Sequence, residues 1–289
     1  MTKKTLNRIR VFAILLIFSG GVYATDVPTL TFRKNEQVVK VLSVNEIMKS
    51  GKSVVSVKVD NPTDSKIHTY EGVSLTGLLD QVFGNGWKTF DAVKFTTLDG
   101  YQPIIPTTSI TANFGLIATR ENGRAGFGKL KRKNGETVDP GPFFLVWENI
   151  KNTAAKKDPW LSWPWQITSI ELTSFSREFP HSAPPEQVGN LAQKGFLEFQ
   201  QHCIKCHTIN GEGGGVGPEL NYPVNVTEYW KEDWLARFIA DPQSVRANSK
   251  MISFYRDVDN RQAIIASVIA YLKVMKDKKI PNPTPDKNK

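Results

Sequence analysis

The residues with the densest chemistry in this chain are Cys203-Ile204-Lys205-Cys206-His207. Two cysteines with two residues between them lie about one helical turn apart. At that separation two thiols can add across the two vinyl groups of one porphyrin. A histidine directly after the second thiol then lies under the ring, with its imidazole toward the iron. The CxxCH string is the attachment signature of c-type haem. These are the only two cysteines in 289 residues, so no third thiol is left for a disulfide framework. CxxC alone also suits a thioredoxin-like redox pair, half of a zinc site or a small disulfide. A redox pair has no need of His207, and a zinc site would have to draw on a chain with four histidines. The residues therefore favour one covalently held haem c, with Cys203 and Cys206 as attachment points and His207 as an iron ligand.

The N-terminus agrees with that chemistry. Lys3, Lys4, Arg8 and Arg10 precede an apolar run from Val11 to Phe18, and Val22-Tyr23-Ala24 offers small residues for cleavage. Residues 1–24 read as a secretory signal peptide, too short in their apolar core for a comfortable membrane span. The alternative is an uncleaved N-terminal anchor, the one case that implies a membrane. Either outcome places residues 25 onward in the periplasm, where haem c is attached. Losing four of the 37 basic residues leaves 33 Lys+Arg against 28 Asp+Glu, a mild net charge of +5. No basic block is long enough, or interleaved with aromatics, as nucleic-acid binding demands. Lys129-Leu130-Lys131-Arg132-Lys133 adjoins Asn134-Gly135 and reads as a solvated loop.

The elements that must position the motif fall in two regions. Three prolines between Pro180 and Pro185 can continue neither a helix nor a central strand, so residues 181–186 form a linker. Ahead of it, residues 25–180 are β-rich. Val38–Leu42, Val54–Val59, Ala92–Thr97, Phe143–Trp147 and Gln166–Leu172 are strand segments. Val44–Lys49 and Ser74–Phe83 are helices between them, the second with Ser74 as N-cap and Leu75, Leu78, Leu79 and Val82 on one face. Behind the linker, residues 187–278 are helical, with helices expected over 187–203, 228–240 and 261–275. Residues 279–289, rich in proline and lysine, read as a disordered tail. The fold class is thus two-domain: an α+β, β-rich front domain followed by an all-α domain.

The helical region resembles a class I, monohaem cytochrome c over about ninety residues, a length fit for one small domain. After His207 comes Gly211-Glu212-Gly213-Gly214-Gly215-Val216-Gly217-Pro218-Glu219-Leu220, like the family's glycine-rich loop ending in Gly-Pro-x-Leu. The resemblance gives the carbonyl of Pro218 a hydrogen bond from the ring nitrogen of His207 that does not bind iron. It matches Gly195, Phe199 and Tyr271 to the family's helix-crossing contact. Trp230 and Trp234 read as core or haem-wall residues. For the sixth ligand, His202 adjoins Cys203 too closely to reach the far face of a ring. Met1 leaves with the signal, and Met48 belongs to the front domain. Met275 lies in an apolar helical stripe. Met251, in Asp241-Pro242 … Lys250-Met251-Ile252-Ser253-Phe254, resembles the family segment that supplies an axial methionine. Ile252 stands where that segment usually has proline. Ligation by His207 and Met251 implies a saturated iron and outer-sphere electron transfer.

The front region resembles the sulfite-oxidase-type molybdopterin domain. The resemblance rests on Tyr70-Glu71-Gly72-Val73-Ser74-Leu75 through Leu79, the turn Asp99-Gly100-Tyr101, and Trp163-Pro164-Trp165-Gln166-Ile167. That family binds molybdenum through a cysteine, and no cysteine precedes Cys203. A molybdenum cofactor is therefore not expected, and His68 reads as a surface or core residue. The expected function is a periplasmic carrier of one electron between a donor and an acceptor, with the front domain as a docking or ligand-binding module. The mild positive charge favours an acidic redox-protein partner, a dehydrogenase or oxidase. The alternative is a self-contained oxidoreductase whose front domain oxidises a small substrate and reduces the haem.

Overall fold

The β-branched and aromatic segments of the front region pair into two sheets. A computed structural model of the chain describes residues 27–50, 53–132, 135–254 and 258–281, so the expected signal peptide lies outside the described residues. The hairpin β1 (Thr29–Lys34) and β2 (Gln37–Ser43) leads to α1 (Val44–Ser50). The hairpin β3 (Val55–Asn61) and β4 (Lys66–Ser74) runs directly into α2 (Leu75–Phe83). Then follow β5 (Ala92–Thr97), β6 (Ile104–Pro106), α3 (Thr107–Ala112), β7 (Gly115–Glu121), β8 (Arg124–Ala125), β9 (Leu130–Lys131), β10 (Thr137–Val138), β11 (Phe144–Trp147), β12 (Ile167–Thr173) and the one-turn helix α4 (Phe175–Glu178). One sheet has the order β2-β1-β12-β5-β6, with β1 and β12 parallel and Phe32 opposite Ile170. The other has the order β11-β7-β4-β3 and is antiparallel.

The core lies between them. Phe32, Phe95 and Ile170 from the first sheet meet Val73, Ile117 and Leu145 from the second, with Leu75, Leu78 and Leu79 of α2. Ser74 caps that helix by accepting from the Gly77 N–H at 3.4 Å. The basic run expected as a solvated loop is in part a small hairpin. Leu130 is buried, β9 pairs with β10, and Arg132 stacks over Trp165 at 5.9 Å. One apolar residue inside the run supplies the anchor that charge counting overlooks.

A buried charged triad ties the front sheet to α4. Lys94 and Glu171 face each other on β5 and β12, with side chains each 4% exposed and 3.0 Å apart. The Lys94 ammonium also reaches Glu178 at 2.9 Å, and the Thr173 hydroxyl donates to Glu178 at 2.8 Å. Two carboxylates on one cation are tolerated inside only because further donors satisfy their lone pairs.

Behind α4 the chain forms α5 (Asn190–His202), a short hairpin of β13 (Thr208–Ile209) and β14 (Glu212–Gly213), α6 (Val226–Tyr229), α7 (Glu232–Ala240), α8 (Pro242–Val245) and α9 (Arg261–Met275). The region is thus helical with one two-stranded hairpin rather than purely α. The helix expected from 187 begins at Asn190, past the prolines. The helix expected over 228–240 is two. A capping box at Asn225 and Glu228 starts α6 early, Trp230 leaves helical geometry, and α7 restarts after Lys231. The last helix spans the expected residues. α5 and α9 cross at Gly195, where a Cβ would sit 1.8 Å from the Ser267 carbonyl oxygen, and Phe199 packs on Tyr271 with ring centroids 5.1 Å apart. The backbones meet so closely that only glycine fits.

The linker and the start of the tail are held. Ser182 is fully buried and donates to Glu212, and its carbonyl accepts from the Tyr271 hydroxyl at 2.6 Å. Lys279 pairs with Glu228, and the Ile280 N–H donates to Asn210 at 3.3 Å. Lys279 and Ile280 of the expected disordered tail therefore pack on the domain, and residues 282–289 lie outside the described residues. Among the described residues no helix is long and apolar enough to cross a membrane.

Candidate haem-binding site

α5 delivers the motif. Its last turn continues through the Cys203 and Ile204 N–H groups, both donating to the Phe199 carbonyl, at 2.9 and 3.0 Å. The Cys206 and His207 N–H groups then both donate to the Cys203 carbonyl at 3.0 Å. This closed turn brings the backbones of the two cysteines into one hydrogen-bonded loop. Neither is in a disulfide. Burial pushes the Cys203 thiol up to about 12 and raises Cys206 as well, so both are neutral thiols.

His207 is fixed from two sides. Its Nδ1 lies 3.0 Å from the Pro218 carbonyl oxygen. A carbonyl only accepts, so Nδ1 carries the proton and Nε2 keeps its lone pair. Burial lowers the imidazole pKa, against the Pro218 bond, which raises it. Gly217 presses on the ring: a Cβ there would be 2.4 Å from Cε1, and its N–H donates to the Cys206 carbonyl at 2.7 Å. The glycine-rich loop is thus a close brace. The Glu219 carboxylate holds it, accepting from the N–H groups of Asn210, Gly211 and Asn221 at 2.9, 3.0 and 2.9 Å.

Met251 follows α8 and is half-buried. It packs on the same apolar cluster as Cys203, Leu220, Trp230 and Phe254. Arg261 at the start of α9 staples its loop, donating to the Phe254 carbonyl at 3.1 and 3.2 Å and to the Ala240 carbonyl. Ile252, in the place of the family's proline, is half exposed. Met275 is fully buried in the core. Trp230 is a half-buried part of the cluster, whereas Trp234 is 42% exposed under the Arg237 guanidinium at 4.5 Å and is no core residue.

The donor set fits a haem: two unbridged thiols on one turn, an imidazole with a fixed tautomer, and a partly buried thioether packed on apolar side chains. Residues 192–276 match the family model for cytochrome c. The C-terminal region is a cytochrome c domain. Such a domain binds haem c and transfers electrons through it. No curated protein matches the chain.

The sequence reading missed much of what steadies the cytochrome c domain. Asn225 donates to Asn221 at 2.7 Å and to the Leu272 carbonyl at 2.9 Å, and Asn221 donates to Asn210 at 2.8 Å. This buried amide chain joins the loop after the hairpin to α9. Three asparagines near the motif were the available signal. The contact with the front domain was also missed. The Gln102 N–H donates to the Lys205 carbonyl at 2.9 Å, and the Gly215 N–H donates to the Gly100 carbonyl at 2.9 Å. Ala92, Ile104 and Phe179 join one buried cluster with Phe199 and Ile204.

In the front domain, Tyr70–Leu79 forms the end of β4 and most of α2, and Asp99-Gly100-Tyr101 is a tight turn with the Thr97 hydroxyl on Asp99 at 2.5 Å. His68 lies between Asp64 and Glu121, at 2.9 and 2.6 Å, and stacks on Tyr70. Among the described residues, no cluster of His, Cys, Asp and Glu could hold a metal ion.

Proposed function

We propose that the chain is a periplasmic one-electron carrier with a single haem c, attached through Cys203 and Cys206, with His207 and Met251 as axial ligands. The observation that carries this reading is the double brace on His207, the Pro218 acceptor at 3.0 Å and Gly217 against the ring. It keeps Nε2 unprotonated and aimed by its surroundings rather than by chance. The haem supplies reversible one-electron chemistry at iron. The chain's own residues tether it, fix the tautomer of His207 and surround it with apolar side chains that exclude water. Ligation by the Met251 thioether together with the His207 imidazole would favour the ferrous state. The front domain is read as a sulfite-oxidase-like fold without the metal-binding thiol, used to dock a donor or acceptor protein. The net charge of +5 after signal removal favours an acidic partner.

The test is the visible spectrum of the purified protein after denaturation and acid-acetone extraction, then of the reduced native protein with CO. Haem that stays with the polypeptide and a ferrous form inert to CO are expected. Absence of covalent haem sinks the proposal, and rapid CO binding removes Met251 from it. A second reading, an oxidoreductase complete in one chain, is favoured by the backbone pairing of Gly100 and Gln102 with the haem-attachment region. Elemental analysis separates the two: molybdenum stoichiometric with iron would establish the second.

A further inference from the structure

Lys205 stands between the two attachment cysteines, yet it is only 7% exposed. A lysine is rarely buried without a reason, because its ammonium loses hydration. Its neighbour Ile204 supplies the apolar packing inside the cytochrome c domain. Lys205 points the other way. Its ammonium lies 3.3 Å from the Ser162 hydroxyl oxygen of the front domain, and its carbonyl accepts from Gln102. The front domain thus covers the attachment segment and encloses a cation there.

We propose that Lys205 sets the reduction potential of the haem, its ammonium held by the front domain beside the attachment cysteines so that the added electron is stabilised. The proposal rests on the reading of Cys203, Cys206 and His207 as the haem site. Reduction adds one negative charge to the haem, and a fixed positive charge nearby lowers the energy of that state. Enclosure strengthens the effect twice: the local dielectric is lower, and salt does not screen an enclosed charge. It gives the front domain a role beyond docking, since its surface holds the cation in place.

The experiment is a spectroelectrochemical titration of the full-length haem protein at low and high salt. Lys205→Met and Lys205→Gln are each expected to weaken the preference for the ferrous form about tenfold, or ~59 mV for one electron, at both salt concentrations. Lys205→Arg restores the wild-type value. Ser162→Asp, made in the front domain, neutralises the same cation without touching the attachment segment, and lowers the potential in the same direction. It decides the matter if the Lys205 variants take up no haem. An unchanged potential in these variants, or a shift that vanishes at high salt, overturns the proposal while the haem site stands. Wild-type protein without covalent haem overturns both.

Discussion

Position 217 has to be glycine for His207 to sit where it does. A methyl group there would lie 2.4 Å from the imidazole, far inside contact distance. Gly217→Ala is expected to push the ring off Pro218 and to lower thermal stability by about 1–3 kcal/mol, the usual range for overpacking. Its ferric spectrum should gain a high-spin component. A spectrum and melting curve equal to wild type would show that the brace is slack. His202 carries a pH effect of its own. Burial lowers its imidazole to about 4 from the ordinary 6.5. The unfolded chain therefore binds a proton below 6.5 that the native chain refuses, and stability falls as pH drops from about 6.5 toward 4. Each unit of difference is worth ~1.4 kcal/mol. Glu198, raised by burial, works in the opposite sense. Urea titrations of wild type and His202→Gln across this range isolate the histidine, because only the wild type should show its slope. The contact of His207 with the Pro218 carbonyl was legible through the resemblance of the glycine-rich loop. The charge of Lys205 was legible too, but what covers it was not, since its ammonium meets Ser162, 43 residues earlier in the chain, and only the tertiary fold brings the two together.

Helices with a clean apolar period were legible nearly to the residue, as α2 and α9 are. Their caps or faces are local properties of the string. The break between α6 and α7 was not seen, because the apolar pattern runs through Trp230 while the capping box at Asn225 decides the ends. The triad on β5, β12 and α4 was equally hidden. Lys94 and Glu171 look like outward residues of two alternating strands, and only the strand order brings them opposite one another. Lys94→Met would leave two buried carboxylates, Glu171 and Glu178, without their cation. The expected loss is about 3–5 kcal/mol in urea unfolding at neutral pH, the scale for stranding a buried charge. A loss under ~1 kcal/mol would mean that water reaches the site, as at an exposed pair.

At the scale of the molecule the two regions share a core rather than a tether. Phe179, at the end of the front region, is buried with Phe199 of α5 and Ile204 of the turn after it, and Ala92 and Ile104 of the front sheet join them. The proline-rich segment read as a linker is buried in part at Ser182 and bonded to Tyr271. Prolines end elements, but composition cannot say whether the segment they occupy is loose. A shared core makes unfolding of one region expose apolar surface of the other, so the two should unfold as one unit. Urea unfolding followed by the haem Soret band and by emission from Trp87 and Trp147, both fully buried in the front domain, should give coincident transitions. Phe179→Ala removes the aromatic at the junction, an expected loss of about 3–5 kcal/mol, and should split them. The transition that moves to lower urea then identifies the region that leans on the other. Separate transitions in the wild type would show that the seam at Gly100, Gln102 and Lys205 is too weak to couple the domains, and would leave the enclosure of Lys205 without its support.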